Sequence, residues 1–155
     1  MAEPDASRLP SLAMADIMIG LSAILLVIVA ALSTQAAQLA SAALQSSAEA
    51  EARIARAARA HADQSGDPVL VAGAAGLSLV TPSGISAIPL DAIATWTPPP
   101  LPAAPLLIVG PRGLEADFLL GPALARAGVA QVQRLRVAGA CDRLRRDAAG
   151  GLRCE

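Results

Sequence analysis

The stretch SLAMADIMIGLSAILLVIVAALS, residues 11–33, is apolar apart from one acidic residue, Asp16, near its start. The hydrocarbon core of a bilayer is about 30 Å thick, so a helix of about 20 apolar residues crosses it. The segment from Ala13 to Leu32 meets this requirement and contains no proline. We therefore predict a transmembrane helix over residues 11–33, preceded by a short N-terminal segment of residues 1–10.

A cleaved signal peptide is the alternative to a retained anchor. Arg8 would then form its basic region, and cleavage would fall between Ala31 and Ala37. The N-terminal segment, however, also contains Glu3 and Asp5, and an acid inside the apolar region of a signal peptide would be unusual. We therefore favour a retained anchor.

Asp16 lies about one helical turn inside the apolar segment, and an ionised carboxylate at membrane depth costs at least about a few kcal/mol on insertion scales. Gly20, Ala23 and Ala30 follow it on the same helical face, and such small residues let another helix approach closely. We therefore expect Asp16 to face protein or a wet cavity, where desolvation disfavours the ionised carboxylate and lets it gain and lose a proton near physiological pH. The alternative is that Asp16 only reaches water at the headgroups.

The alanine-rich residues 34–66 predict a helical stalk, because alanine is the strongest helix former and neither glycine nor proline occurs before Gly66. A partly flexible stalk is the alternative. We expect His61, within this segment, to be a solvated helix residue and not a ligand. A narrow apolar stripe suited to pairing with a second copy comprises Leu32, Leu39, Ala43 and Ala50.

Residues 67–140 read as a small α+β domain. Three short β-type runs separated by glycine-containing turns, residues 69–72, 77–81 and 85–88, predict a meander. A short helix with Leu90, Ile93 and Trp96 should follow, and then a proline-rich connector over residues 97–105.

A strand–helix–strand unit completes this domain. Residues 106–109 predict a buried strand, and the alternating residues 132–137 predict a second one. Between them we expect a helix that Pro122 kinks or divides and that Gly128 caps. Its apolar face is predicted to comprise Leu114, Phe118, Leu119, Ala123 and Ala127.

Residues 141–155 predict a hairpin tail that turns at residues 148–151 and is closed by a disulfide between Cys141 and Cys154. Such a bridge would stabilise the fold by roughly 3 kcal/mol on the chain-entropy model. The alternative is two reduced cysteines. We expect three exposed arginines on this tail, Arg143, Arg145 and Arg146.

The orientation in the membrane is poorly specified by charge, because Arg8 is the only basic residue on the N-terminal flank. Since disulfides form in oxidising compartments, the cysteines favour a cytoplasmic N-terminus and an external C-terminal domain. A zinc site is not expected, because two thiols and the single His61 do not supply four ligands.

Two functional classes are disfavoured by composition and motifs. A net charge of −1 and 1% aromatic residues give no basis for binding nucleic acid. The sequence has no nucleophile with a nearby base, no phosphate-binding loop and no carboxylates paired at catalytic spacing, so we do not expect an enzyme.

Two separate pieces of the chain resemble the ExbD/TolR family. One is Pro10 followed by SLAMADIM, in which Asp16 has the position of the family's acidic residue. The other is LLIVGPRGLEADFLLGPALARAGVAQVQRLRV, residues 106–137, whose helix closes on AGV before a final strand. Residues 68–94 are similar to the family's paired strands and first helix.

This resemblance implies a single-span subunit of a proton-driven motor in the bacterial inner membrane, with its N-terminus cytoplasmic and its folded domain periplasmic. Asp16 would be the proton-carrying residue, and protons would be the coupling ion, with no other cofactor. Two copies would lie within a pentameric ring of an ExbB/TolQ-like multi-span partner and transmit force to a periplasmic or outer-membrane client. The alternative is a membrane-tethered structural or pilin-like module in which Asp16 sets helix register and carries no proton.

Overall fold

A computed structural model describes the backbone of residues 9–147 and 151–155, and the side chains of these residues except 9–13 and 15. The chain is mixed α+β, with a long apolar N-terminal helix and a small sheet. Its elements are α1 Leu9–Ser65, β1 Val69–Gly73, β2 Gly76–Thr81, β3 Gly84–Pro89, a 3₁₀ helix Leu90–Thr95, β4 Leu106–Val109, α2 Leu114–Arg126, β5 Gln133–Arg136, β6 Leu144–Arg146 and β7 Leu152–Cys154.

The chain divides into two compact units, residues 1–44 and residues 45–155. In the first unit, every residue from Asp16 to Leu44 is exposed. Among the described residues, α1 is the one helix long and apolar enough to cross a membrane. The second unit contains the sheet together with the last part of α1.

The main sheet has five strands in the order β3-β2-β1-β4-β5. Strands β1, β2 and β3 form the predicted antiparallel meander, with Val69 opposite Val80 and Leu77 opposite Ile88. Strand β4 is parallel to both β1 and β5. The strand–helix–strand prediction is therefore confirmed, and β1 becomes the strand that joins the meander to this unit.

One face of the sheet is covered by the last part of α1. Ile54 and Ala58 are fully buried there, against the side chains of Val69, Val71 and Ile108. The small alanine side chains let the helix backbone lie close to the strands. The domain that the sequence predicts to begin at residue 67 thus includes residues 45–65 as well, which the sequence analysis assigned to the stalk.

The other face is covered by α2 and the 3₁₀ helix. The predicted apolar face of α2 is wrong in part, because Leu114 is 58% exposed and Phe118 is 82% exposed. Ala123 is buried and Leu119 packs against the core, as predicted. A second apolar series on the same helix packs on the sheet instead. Its buried members are Ala116, Leu120, Ala123 and Leu124.

The start of α2 explains which series is buried. Gly113, just before the helix, lies so close to β1 that an added Cβ would come within 2.1 Å of the carbonyl oxygen of Ala72. Only glycine permits this approach, which turns Ala116 and Leu120 toward the strands. Both apolar series of α2 have helical spacing in the sequence. The close contact of Gly113 with Ala72 determines which of the two series is buried.

Pro122 does not divide α2, which runs without interruption from Leu114 to Arg126. Proline lacks the N–H that would bond to the carbonyl of Phe118, but both residues are exposed, so this carbonyl is not forced into an apolar core without a partner. Gly128 ends the helix with a positive φ of 76°, one position after the cap residue Ala127. Val129 N donates to the carbonyl of Leu124 at 3.0 Å, which completes a Schellman motif.

The C-terminal tail is a two-stranded antiparallel hairpin in which Leu144 lies opposite Cys154. A disulfide joins Cys141 to Cys154, with Cα atoms 5.5 Å apart. Three of the four residues of the predicted turn, 148–150, lie outside the described residues. The side chains of Leu144 and Leu152 pack against the core formed by α1 and the sheet, and the arginines at 143, 145 and 146 are exposed, as predicted.

Candidate proton-carrying site and surfaces of the folded unit

Asp16 lies in the first part of α1, and its side chain is exposed. Gly20, Ala23 and Ala30 are exposed on the same helical face. An added Cβ on Gly20 would meet no atom within 4 Å. The strip of small residues beside Asp16 is therefore open along its length, and nothing in the described part of the chain covers it.

Asp16 has no hydrogen bond or ion pair with any described residue. It is the only charged residue between Leu9 and Ala48, and the next one along the sequence is Glu49. No partner for the Asp16 carboxylate therefore comes from the described residues. Candidates are water, a lipid headgroup or a second polypeptide.

A shallow apolar depression lies next to the strip of small residues. It is lined by Met18, Ile19, Ser22, Ala23 and Leu26, and it shares Ala23 with the strip. The depression exists because small side chains alternate with large ones along the helix. A neighbouring helix could place a large side chain there, close to Asp16.

The polar residues at the end of the apolar segment bond to their own helix. Ser33 Oγ donates to the carbonyl of Ala30 at 2.9 Å, and Thr34 Oγ1 donates to the carbonyl of Ala31 at 2.8 Å. These bonds satisfy the hydroxyl groups without a partner outside the helix. They allow a helix to carry Ser33 and Thr34 at the boundary of an apolar medium.

The folded unit contains a groove that the sequence analysis did not find. Its volume is about 430 Å³, and its lining is mostly apolar, with Ile54, Leu77 and Ile88 among its residues. Glu51 lies at the groove and accepts a 3.0 Å hydrogen bond from Ala74 N. Residues from α1 and three strands form it, so no local motif could have indicated it.

His61 faces a second cavity, between α1 and the C-terminal hairpin. It is half-buried, so the prediction of a solvated side chain is wrong. Burial lowers the pKa of His61, the positive charge of Arg146 lowers it further, and Asp67 acts in the opposite direction. Other charged groups at this cavity are Asp142, Arg143 and Arg145. His61 therefore favours its neutral form.

No group of three or more metal-ligating side chains occurs in the part of the chain that the structure describes.

Arg53 on α1 lies 3.6 Å from Asp142 of the tail, in an exposed ion pair. The tail is thus held to α1 by the apolar contacts of Leu144 and Leu152, together with this weak electrostatic contact.

Comparisons with known proteins give no relative for this chain. No family model matches the sequence, and no curated protein or solved structure matches it at a significant level.

Proposed function

We propose that this chain is the single-span subunit of a proton-driven membrane motor of the ExbD/TolR kind, with Asp16 as the proton-carrying residue. The observation that carries the proposal is a carboxylate without a described partner, located in an apolar helix beside a strip of small residues. A carboxylate at membrane depth is costly, and such residues usually serve transport. A carboxylic acid surrounded by protein can accept a proton on one side of the membrane and release it on the other.

A multi-span partner of the ExbB/TolQ kind is the proposed environment of Asp16. Gly20, Ala23 and Ala30 offer a surface on which a partner helix packs closely, and the neighbouring depression accepts one of its side chains. In the proposed assembly, two copies of this chain lie within a pentameric ring of that partner. Each copy presents Asp16 to the inner wall of the ring.

The proposed location is the bacterial inner membrane, with residues 1–10 in the cytoplasm and the folded unit in the periplasm. The bonded Cys141 and Cys154 support this orientation, since disulfides persist in oxidising compartments. The folded unit would pass force to a periplasmic or outer-membrane client. Because Ile54 and Ala58 belong to its core, a displacement of this part of α1 acts directly on the sheet.

The strand order also supports the family proposal. The meander leads through a short helix into β4, and α2 then connects β4 to the parallel strand β5. This is the order that the resemblance implies for the folded domain. The last part of α1 on one face of the sheet and the disulfide-closed hairpin are additions to that plan.

The decisive experiment compares Asp16→Asn with Asp16→Glu in the full chain, co-expressed with the multi-span protein that we expect a neighbouring gene to encode. Asp16→Asn keeps size and hydrogen bonding but cannot ionise. We expect it to copurify with the partner and to abolish proton uptake by proteoliposomes that hold the complex. Asp16→Glu should retain part of this uptake.

Glu49→Gln is the matched control, because it removes the next carboxylate along α1. It should leave proton uptake unchanged. Full uptake by Asp16→Asn would end the proposal and favour the alternative, a membrane-tethered structural or pilin-like module in which Asp16 only sets helix register.

A further inference from the structure

The exposed side of α2 carries an apolar stripe. Leu114 and Phe118 are 58% and 82% exposed, and Pro122 and Ala125 are also exposed. The spacing of these four residues places them on one helical face, opposite the face that packs on the sheet. Phe118 is the only phenylalanine in the sequence. An aromatic side chain held in water within an apolar stripe indicates an interaction surface.

Charged residues border this stripe in a particular order. Glu115 stands in the first turn of α2 and Arg126 in the last turn, eleven positions apart, so both lie along the same edge of the stripe. Neither has an ion pair with a described residue. The guanidinium of Arg126 donates to the carbonyl of Ala94 and keeps further N–H groups free to donate.

We propose that this face binds the same face of a second copy of the chain, with the two α2 helices antiparallel. A two-fold axis near residue 120 places Glu115 of each copy beside Arg126 of the other. The stripe residues then meet each other, with Phe118 of one copy against Pro122 of the second copy. Gly121 has no side chain and lets the helices approach closely near the axis.

The charge order selects a second copy in this orientation. The stripe has an acid at one end and a base at the other. Two copies of it are therefore complementary only when they run in opposite directions, which is the condition for an isologous interface. Parallel helices would place Glu115 beside Glu115 and Arg126 beside Arg126. An anionic lipid surface would be repelled by Glu115, next to the exposed Phe118.

The interface need not be strong in solution. Copies anchored in one membrane by α1 have a high effective concentration, which raises the occupancy of a weak contact between their folded units. This inference uses the membrane anchor alone. It does not depend on whether Asp16 carries a proton.

Cysteine cross-linking in membranes that contain the full chain tests the orientation. Gly121→Cys places a thiol near the two-fold axis, at a position where an added Cβ meets nothing within 4 Å. Two such thiols should react with a short bis-maleimide to give a covalent dimer. The two residues at position 114 would be about 18 Å apart along the helix axes, so Leu114→Cys should give none.

Two controls should stay monomeric on a denaturing gel. One is the wild-type chain, whose cysteines are both bonded, and the other is Ser83→Cys, on the exposed turn between β2 and β3. A dimer of Leu114→Cys would overturn the antiparallel orientation. No Gly121→Cys dimer, or an adduct with a different protein only, would overturn the pairing itself and assign the face to another partner.

Two further variants, made in the Gly121→Cys background, test the contacts. Phe118→Ser should reduce the cross-linked fraction about tenfold, while the melting temperature stays unchanged because Phe118 makes little contact within its own chain. Glu115→Arg and Arg126→Glu should each reduce it roughly threefold, and their combination should restore it. Cross-linking that is insensitive to all of these variants would reflect random collision and overturn the proposal.

Asp16→Asn separates this inference from the proposed function. The Asp16→Asn chain should cross-link through Gly121→Cys as well as the wild-type background does. If the Asp16→Asn variant loses proton uptake but still cross-links, both proposals are supported. If it retains both proton uptake and cross-linking, the motor proposal is wrong and the proposed interface is still supported.

Discussion

Arg134 Nε donates a 2.9 Å hydrogen bond to Asp117 Oδ1 and so ties β5 to α2. The side chain of Asp117 is only 11% exposed, whereas that of Arg134 is 45% exposed. The carboxylate is therefore largely withdrawn from water and depends on this one cation. The pair fixes the helix against the strand at the edge of the sheet.

Arg134→Ala should lower the free energy of unfolding by about 1–2 kcal/mol, because it leaves a largely buried carboxylate without its partner. The matched control is Arg136→Ala, which removes an exposed arginine from the same strand and should change stability by less than about 0.5 kcal/mol. Urea unfolding of the full chain in detergent measures both. Equal effects of the two variants would show that the ion pair adds nothing specific.

Gly113→Ala should destabilise the folded unit by about 3 kcal/mol, since the new Cβ would lie 2.1 Å from the carbonyl oxygen of Ala72. Both groups belong to well-packed backbone, so neither can move cheaply. Gly139→Ala is the control, because its Cβ would meet nothing within 4 Å. If thermal melting shows Gly113→Ala to be as stable as Gly139→Ala, the close approach of α2 to β1 is contradicted.

Replacing both cysteines, Cys141→Ser with Cys154→Ser, should lower the free energy of unfolding by about 3 kcal/mol on the chain-entropy model. The bridge closes a short loop and holds the hairpin against the core. A reducing agent should destabilise the wild type and leave the double variant unchanged. Mass measurement of the unreduced protein should give a value lower by two hydrogens, and complete alkylation of the unfolded, unreduced chain would contradict the bond.

His61 should make the folded unit less stable as the pH falls. Burial and Arg146 lower the pKa of His61 in the folded state, whereas in the unfolded chain this pKa has its ordinary value of about 6.5. The unfolded chain therefore binds a proton more readily when the pH falls below about 6.5. Stability contributed by neutral His61 is therefore lost as pH falls through that value. The melting temperature of the wild type should fall more than that of His61→Gln between about pH 8 and about pH 5.5. A smaller fall for the wild type would contradict the lowered pKa.

Strands β1 to β4 could be predicted from the sequence because they are short, mostly apolar runs bounded by glycine or proline, and β5 could be predicted because its apolar and polar residues alternate. The buried face of α2 could not, since Leu114 with Phe118 and Ala116 with Leu120 have the same helical spacing. The contact of Gly113 with β1 decides between them and leaves no local signal.

The packing of α1 on the sheet was missed for a different reason. Alanine is an excellent helix former in water and equally suited to close packing, so an alanine-rich helix gives no clear distinction between a stalk and a core element. Ile54, the one large apolar residue between Leu44 and Val69, was the available signal. The strip of small residues beside Asp16 could be predicted from spacing alone.

The burial of Ile54 and Ala58 determines where a recombinant fragment of the folded part must start. A fragment beginning at residue 67, the boundary suggested by the sequence, would lose the helix that packs on Val69, Val71 and Ile108 and would expose that part of the sheet to water. Such a fragment should aggregate during expression. A fragment beginning at Gln45 keeps the covering helix and omits the long apolar segment, and it is the form to pursue for crystals or NMR spectra.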